Sequence, residues 1–241
     1  MIAEYKLKQM NDNQKMEEEL KCVDELSYTP RLLLHSCCAP CSSHVISVLS
    51  PHFNITVLYY NPNIEPYEEY LKRKNEEIRF INEYPALNPI DIMDCDYDNA
   101  KFHEAVRGLE MAKEGGERCF ICYDLRLDKT AALAKANEYD YFTTTLSVSP
   151  YKNAGKLNEI GLKLSEEYDI NYLIADFKKK NGYKHSIEMS AEYNLYRQDY
   201  CGCVYSKRDR DCQKAEKNGE LTGCAACKEL QRKLLNENAD E

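Results

Sequence analysis

The stretch "RLLLHSCCAPCSSHVISVL", Arg31 to Leu49, decides the fold. "RLLLHS" (31–36) reads as a buried strand: it is short, apolar and preceded by Pro30. A helix follows, running to about Leu49. Between them stand Cys37, Cys38 and Cys41. Adjacent cysteines are poor packing residues, because they face opposite ways on a strand and lie about 100° apart on a helix. Their place at a strand's end, ahead of a helix, marks them as chemistry.

The same alternation continues outward. "NITVLYY" (54–60), "NPIDIMD" (88–94), "YDYFTTTLS" (139–147) and "INYLIAD" (170–176) read as strands. Helices are expected at 66–84, 98–114, 122–139, 154–168 and about 186–197, with Gly115 and Gly116 stopping the second of these. Strands alternating with helices imply an α/β fold, Rossmann-like or HUP-like, with a mostly parallel sheet and helices on both faces. Ligands of such folds sit beyond the carboxyl ends of the strands. Cys37 and Cys38, "YYNPNIEP" and "TTTLSVSPYKN" all fall there, so the metal site is expected there too. The expected organisation is a polar extension over 1–29, an α/β catalytic domain over 30–206 and a cysteine-containing tail over 207–241.

The 241 residues carry 12 cysteines and a net charge of −9. The N-terminus is polar and lacks an apolar signal region, and no apolar run approaches the ~20 residues that span a bilayer. A cytoplasmic protein without a membrane partner is expected. That compartment keeps thiols reduced, which turns the cysteines from a disulfide framework toward metal or redox work. The acidic total disfavours nucleic acid, whose phosphates dominate its affinity, although local patches outweigh the total. Lys178, Lys179, Lys180, Lys184, Arg197, Lys207, Arg208 and Arg210 form such a patch, interleaved with Tyr183, Tyr193, Tyr196, Tyr200 and Tyr205. A solvated surface is the plainer reading of that run.

"RCFIC" supplies a second C-x-x-C, Cys119 and Cys122. Buried free cysteines and a thioredoxin-type motif compete with a metal site here. Four thiolates from two loops can ligate zinc or a 4Fe–4S cluster, and neighbouring cysteines restrict tetrahedral zinc more than a cube with separate irons at its corners. Cys41 lies one helical turn past Cys37 and Cys38, so it can face the same site and hold an adjacent metal ion, or merely pack. In "DYCGCVYS", Cys201 and Cys203 flank Gly202; in extended chain their Cα atoms lie about 6–7 Å apart, near the upper limit for a disulfide. A strained disulfide of that kind is redox-active, and two incidental thiols are the alternative. Ser147, Ser149, Lys152 and Asn153, on a loop entering a helix, suit either an anion or an ordinary cap. Cys212, Cys224 and Cys227 can form a further metal site, while Cys22 and Cys95 look incidental.

Five motifs in order, "HSCCAPCSSHVI", "YYNPNIEPYEEYLKR", "RCFICYDLRL", "TTTLSVSPYKN" and "YKHSIEMSAEYNLYRQDYCGCVYS", resemble the QueH family of epoxyqueuosine reductases from about Leu32 to Ser206. The resemblance implies a 4Fe–4S cluster on Cys37, Cys38, Cys119 and Cys122, with a second, mononuclear metal ion, expected to be iron, beside it. It implies a redox-active pair at Cys201 and Cys203. It further implies that epoxyqueuosine in a tRNA anticodon loop is deoxygenated to queuosine, with electrons from a donor the motifs do not identify. The tail beyond Ser206 lies outside the pattern. A tRNA-thiolating enzyme on a related fold is the rival enzyme, but its glycine-rich pyrophosphate loop is missing from "HSCCAPC". A zinc-stabilised binding module is the rival without catalysis.

Overall fold

The computed structural model describes residues 9–217. Its elements in chain order are α1 (Asp12–Asp24), β1 (Arg31–His35), α2 (Ala39–Leu49), β2 (Asn54–Tyr59), α3 (Tyr67–Glu83), β3 (Ile90–Asp94) and α4 (Asn99–Ala105). These are followed by α5 (Glu117–Ala136), β4 (Tyr141–Thr144), a 3-10 turn (Thr145–Val148), α6 (Ala154–Tyr168), β5 (Asn171–Tyr172), α7 (Gly182–Glu192) and α8 (Val204–Lys217). The five strands form one sheet in the order β3-β2-β1-β4-β5, and every pair is parallel.

β1 occupies the centre, and its three leucines show why. Leu32 and Leu34 point to one face, where Val45 and Ile46 of α2, Phe80 of α3 and Met189 of α7 close over them. Leu33 points to the other face, against Leu127 and Ala131 of α5 and Leu157 of α6. Successive strand residues alternate in direction, so a run of leucines belongs only in a strand covered on both sides. The chain leaves β3 at one edge, crosses over and re-enters as β4 beside β1. The strand order therefore reverses at the carboxyl ends of β1 and β4, which is where ligands of such sheets bind.

Several elements differ from the sequence reading. β4 stops at Thr144 because its Oγ1 accepts from Leu146 N–H and starts the 3-10 turn. β5 is two residues long; Asn158 of α6 takes both the N–H and the carbonyl of Ala175, which a longer ladder would need. α4 ends at Ala105, and buried Arg118 donates to the carbonyl of Glu110 at 3.0 Å in the segment expected to remain helical. Gly116 does not merely stop a helix: it is the N-cap of α5, so Cys119 and Cys122 both lie inside that helix. The helix expected at 186–197 begins earlier, at Gly182, and α8 runs through Ser206 into the stretch read as tail. α1 carries a capping box, Asn11 with Gln14, and buries Met16, Leu20 and Val23 in the main core. Cys212 lies on α8, whereas Cys224 and Cys227 lie outside the described residues. Among the described residues no helix is long and apolar enough to cross a membrane.

His35 ties the switch point together. Its Nε2–H donates to the Tyr60 carbonyl at 3.1 Å, and its Nδ1 accepts from Thr144 Oγ1 at 2.9 Å. Burial together with Arg126 favours the neutral ring and pushes its pKa down to about 3. Below pH 6.5 the unfolded ring binds a proton that the folded ring refuses until about pH 3. Stability therefore falls through that window, by up to ~1.4 kcal/mol per pH unit. His35→Gln, which keeps a donor for Tyr60, should show a shallower loss in urea melts between pH 6 and pH 4; equal slopes in both proteins would reject this role.

Candidate active site

β1 ends at His35, and the chain turns directly into α2. Cys38 is the N-cap, in extended conformation, with Pro40 in the first helical turn. The Cys41 N–H donates to the Cys38 carbonyl at 3.0 Å. This turn gathers three sulfurs at a helix N-terminus, where the backbone dipoles favour thiolate. The Cys37 and Cys38 sulfurs are 3.7 Å apart, and those of Cys37, Cys38 and Cys41 all lie within 4.8 Å of one another. Among the described residues this is the one group of at least three such side chains close enough to hold a single ion. The thiols of Cys38 and Cys41 hold the Cys37 pKa well below its usual value, with Lys152 and Arg126 adding to the effect. Facing Cys37, the other two thiols are pushed up. Gln198 Nε2 donates to Cys38 Sγ at 2.9 Å.

The second C-x-x-C stands on the first turns of α5. The Gly115 N–H donates to Cys119 Sγ at 3.2 Å. Cys119 packs against the cluster that contains Cys37 and Cys38, whereas Cys122 packs with Phe102, Val106, Tyr205 and Cys203. Burial raises both thiols, Cys122 to about 12. α5 thus lies between the first cysteines and the last pair. Its Arg126, 1% exposed, donates from Nε to the Cys122 carbonyl at 2.9 Å and leaves Nη2 without a partner.

Cys201 and Cys203 are both free thiols. Their backbone is clasped from α3: Arg73 Nη1 donates to the Cys201 carbonyl at 3.0 Å and Nη2 to the Tyr200 carbonyl at 3.4 Å, while Nε pairs with Glu69 at 2.7 Å. The Glu65 N–H donates to the Gly202 carbonyl at 2.9 Å. Gly202 has φ +135°, and a Cβ there would meet Ile64 Cγ1 at 2.9 Å and Arg73 Nη1 at 3.3 Å. A glycine is required both by the dihedral and by the space. Cys203 leads into α8, its sulfur accepting from Ser206 N–H at 3.4 Å, and burial raises its pKa to about 11.

Cys37, Cys41, Lys152 and Cys201 line one cavity of about 530 Å³ together with Tyr151, Tyr183, Tyr200, Arg197 and Arg210, whereas Cys38, Cys119, Cys122 and Cys203 are not part of its lining. A broader hollow at the opposite end of the strands, around Lys135 and Asp169, holds no thiol. The basic run is mostly a web of ion pairs: Lys178 with Asp176, Lys180 with Glu17, Lys184 with Glu188, Arg208 with Asp209 and Arg210 with Asp199. Of its tyrosines, Tyr183 and Tyr200 reach the cavity. Tyr193 packs on Phe80, Tyr205 is buried near Phe102, and the Tyr196 hydroxyl bonds Glu69. Tyr151, which the sequence reading passed over, lines the cavity and is 78% exposed. Its position in "SPYKN" beside Lys152 was the available signal. The anion-loop reading gives way to capping: Asn153 Oδ1 accepts from Lys156 N–H, Ser149 Oγ from Tyr151 N–H and Ser147 Oγ from Phe177 N–H. Lys152 alone turns inward, its Nζ 3.2 Å from Cys201 Sγ. Cys22 is exposed on α1, and Cys95 lies half-buried just after β3.

Gly202→Ala should destabilise the clasped loop by about 1–3 kcal/mol, the scale of local backbone strain. The expected readout is faster alkylation of buried Cys203 in the folded protein, with alkylation of Cys22 unchanged. Unaltered protection of Cys203 would show that the loop tolerates a side chain.

Comparison with known proteins identifies the family. The family model described as epoxyqueuosine reductase QueH matches residues 32–209. The chain is 42% identical over 210 residues to epoxyqueuosine reductase QueH of Streptococcus pyogenes serotype M1, covering 84% of this chain and 82% of that one. It is 38% identical to that of Staphylococcus aureus strain Mu50, covering 86% and 88%, and 32% identical to that of Thermotoga maritima, covering 79% and 98%. These matches favour neither the thiolation enzyme nor the zinc module. With its cysteine motifs inside the matched span and most of both chains aligned, the protein belongs to the QueH family.

Proposed function

We propose that the chain reduces epoxyqueuosine in a tRNA anticodon loop to queuosine. The epoxide oxygen leaves as water, which takes two electrons and two protons. The observation that carries this reading is the single cavity onto which Cys37, Cys41, Lys152 and Cys201 all open. A 4Fe–4S cluster would be held by Cys37, Cys38, Cys119 and Cys122, with Cys41 turned to a neighbouring iron ion. The donor set suits such groups: Cys37, Cys38 and Cys41 gather at the start of α2, and Cys119, which packs against the cluster containing Cys37 and Cys38, stands with Cys122 on α5. When bound, these groups supply single electrons and a Lewis acid for the epoxide oxygen.

The chain's own groups do the rest. Cys201 and Cys203, fixed on the backbone that Arg73 clasps, store the electron pair as a dithiol. Tyr151, Tyr183 and Tyr200 offer ring faces at the cavity, and splayed RNA bases are commonly bound by such stacking. Arg197, which bonds Ser186 and Ser190 and has no carboxylate partner among the described residues, offers positive charge there, which matters in a chain of net charge −9; Arg210 is neutralised by Asp199 and Asp211.

Anaerobically purified protein should contain about five irons and about four sulfides per chain and convert epoxyqueuosine tRNA to queuosine tRNA. Cys37→Ala and Cys119→Ala should lose the brown chromophore. Cys201→Ser should keep it and the tRNA affinity while turnover collapses. A colourless zinc protein, or full turnover by Cys201→Ser with the natural donor, would overturn the assignment. Tyr151→Ala should weaken binding of an anticodon stem-loop by about 1–3 kcal/mol, the worth of one base–aromatic stack, at unchanged iron content. Titration by fluorescence anisotropy measures this, and an unchanged affinity would remove Tyr151 from the RNA surface.

A further inference from the structure

Lys152 stands apart from every other residue of its loop. Its own N–H donates to the Ser149 carbonyl at 3.2 Å, which fixes the turn. Ser147, Ser149 and Asn153 are spent on local caps. The Lys152 side chain leaves the surface, lines the cavity with Cys37 and Cys41, and ends 3.2 Å from Cys201 Sγ. Among the described residues no carboxylate lies within 4.0 Å of its ammonium. A part-buried ammonium commonly has one, because an unpaired charge is costly to desolvate. An ammonium has three N–H bonds and no acceptor. One points at the Cys201 sulfur, which leaves the others for whatever the cavity binds.

We propose that Lys152 is a catalytic proton carrier: it takes the proton that Cys201 sheds on oxidation and delivers it to the epoxide oxygen. This rests on the reduction proposed above. The two thiols lose two electrons and two protons and form one S–S bond. Both C–O bonds of the epoxide break, the two ring carbons become doubly bonded, and the oxygen departs as water. An N–H bond of Lys152 breaks as the first O–H bond forms, and the amine is recharged from Cys201. The second proton comes from Cys203, whose thiol is 3.5 Å from Ser206 Oγ on the same cavity. Oxidising the dithiol thus releases the two protons that the epoxide consumes.

The test is a single turnover of dithiol-reduced enzyme on epoxyqueuosine tRNA, comparing wild type with Lys152→Ala and Lys152→Arg. Loss of a general acid should slow Lys152→Ala by about a hundredfold or more, with tRNA affinity within about twofold and iron content unchanged. Added methylamine should restore part of the rate in proportion to its ammonium form. Lys152→Arg should keep the charge yet remain slow, since a guanidinium does not give up its proton. A melting temperature checks the fold, and Lys152→Gln replaces the alanine variant should that one not fold. Turnover of Lys152→Ala within about threefold of wild type overturns the proposal while the reductase reading stands. So does full recovery by Lys152→Arg with no response to methylamine, which would mark a purely electrostatic role. Wild-type protein that binds the tRNA but forms no queuosine overturns the reductase reading itself, and the proton carrier with it.

Discussion

β1 is hydrogen-bonded to β2 along one edge and to β4 along the other, and Leu32, Leu33 and Leu34 are wholly covered. A strand so enclosed can present chemistry only at its end. His35 sets where that end is, because one neutral ring joins the Tyr60 carbonyl to the Thr144 hydroxyl. Everything beyond inherits this placement. The three sulfurs at the start of α2 sit over the point where the strand order reverses, and the segment from Thr145 to Asn153 leaves β4 beside them.

The surroundings of the sulfurs explain how so much charge is buried. Arg73, Arg118 and Arg126 are each about 1% exposed, and Lys152 lies over Cys201. Lone buried guanidinium groups would be destabilising. Arg118 is instead spread over three carbonyls of the turn before α5 and Arg73 over those of Tyr200 and Cys201, whereas Arg126 has one, that of Cys122. The cations thus stitch loops together and also raise the positive potential around the thiols, which favours anionic sulfur. Arg73 has Glu69 as a counter-charge, and the buried Nη2 of Arg126 has no hydrogen-bond partner among the described residues.

Much of this was legible in the sequence, for physical reasons that can be named. The leucine run could only be a two-sided strand, and strand–helix alternation fixed a parallel sheet and the end at which the cysteines stand. Boundaries were less legible where side chains replace backbone partners. Asn158 ends β5 by occupying Ala175, and Arg118 holds as a turn what helical periodicity extends to residue 114. The ion pairing of the basic run was not legible, since the acids that neutralise it, Glu17, Asp176 and Asp199, come from other parts of the chain or from its own gaps. Lys152 was noticed in its loop, but the sulfur it meets lies on a segment far along the chain, and no local pattern encodes that contact.

The clasp on the Cys-Gly-Cys segment has one more consequence. Arg73 and Glu65 hold the carbonyls of Tyr200, Cys201 and Gly202, not the sulfurs. If the two sulfurs join and part as proposed, the carbonyls on either side stay tied to Arg73 and to the Glu65 N–H, which limits how far the main chain moves with them. In the language of electron transfer, such anchoring keeps the backbone's share of the reorganisation energy small. The atoms that would otherwise have to rearrange with each change of charge are already anchored to α3, a helix that itself carries no cysteine.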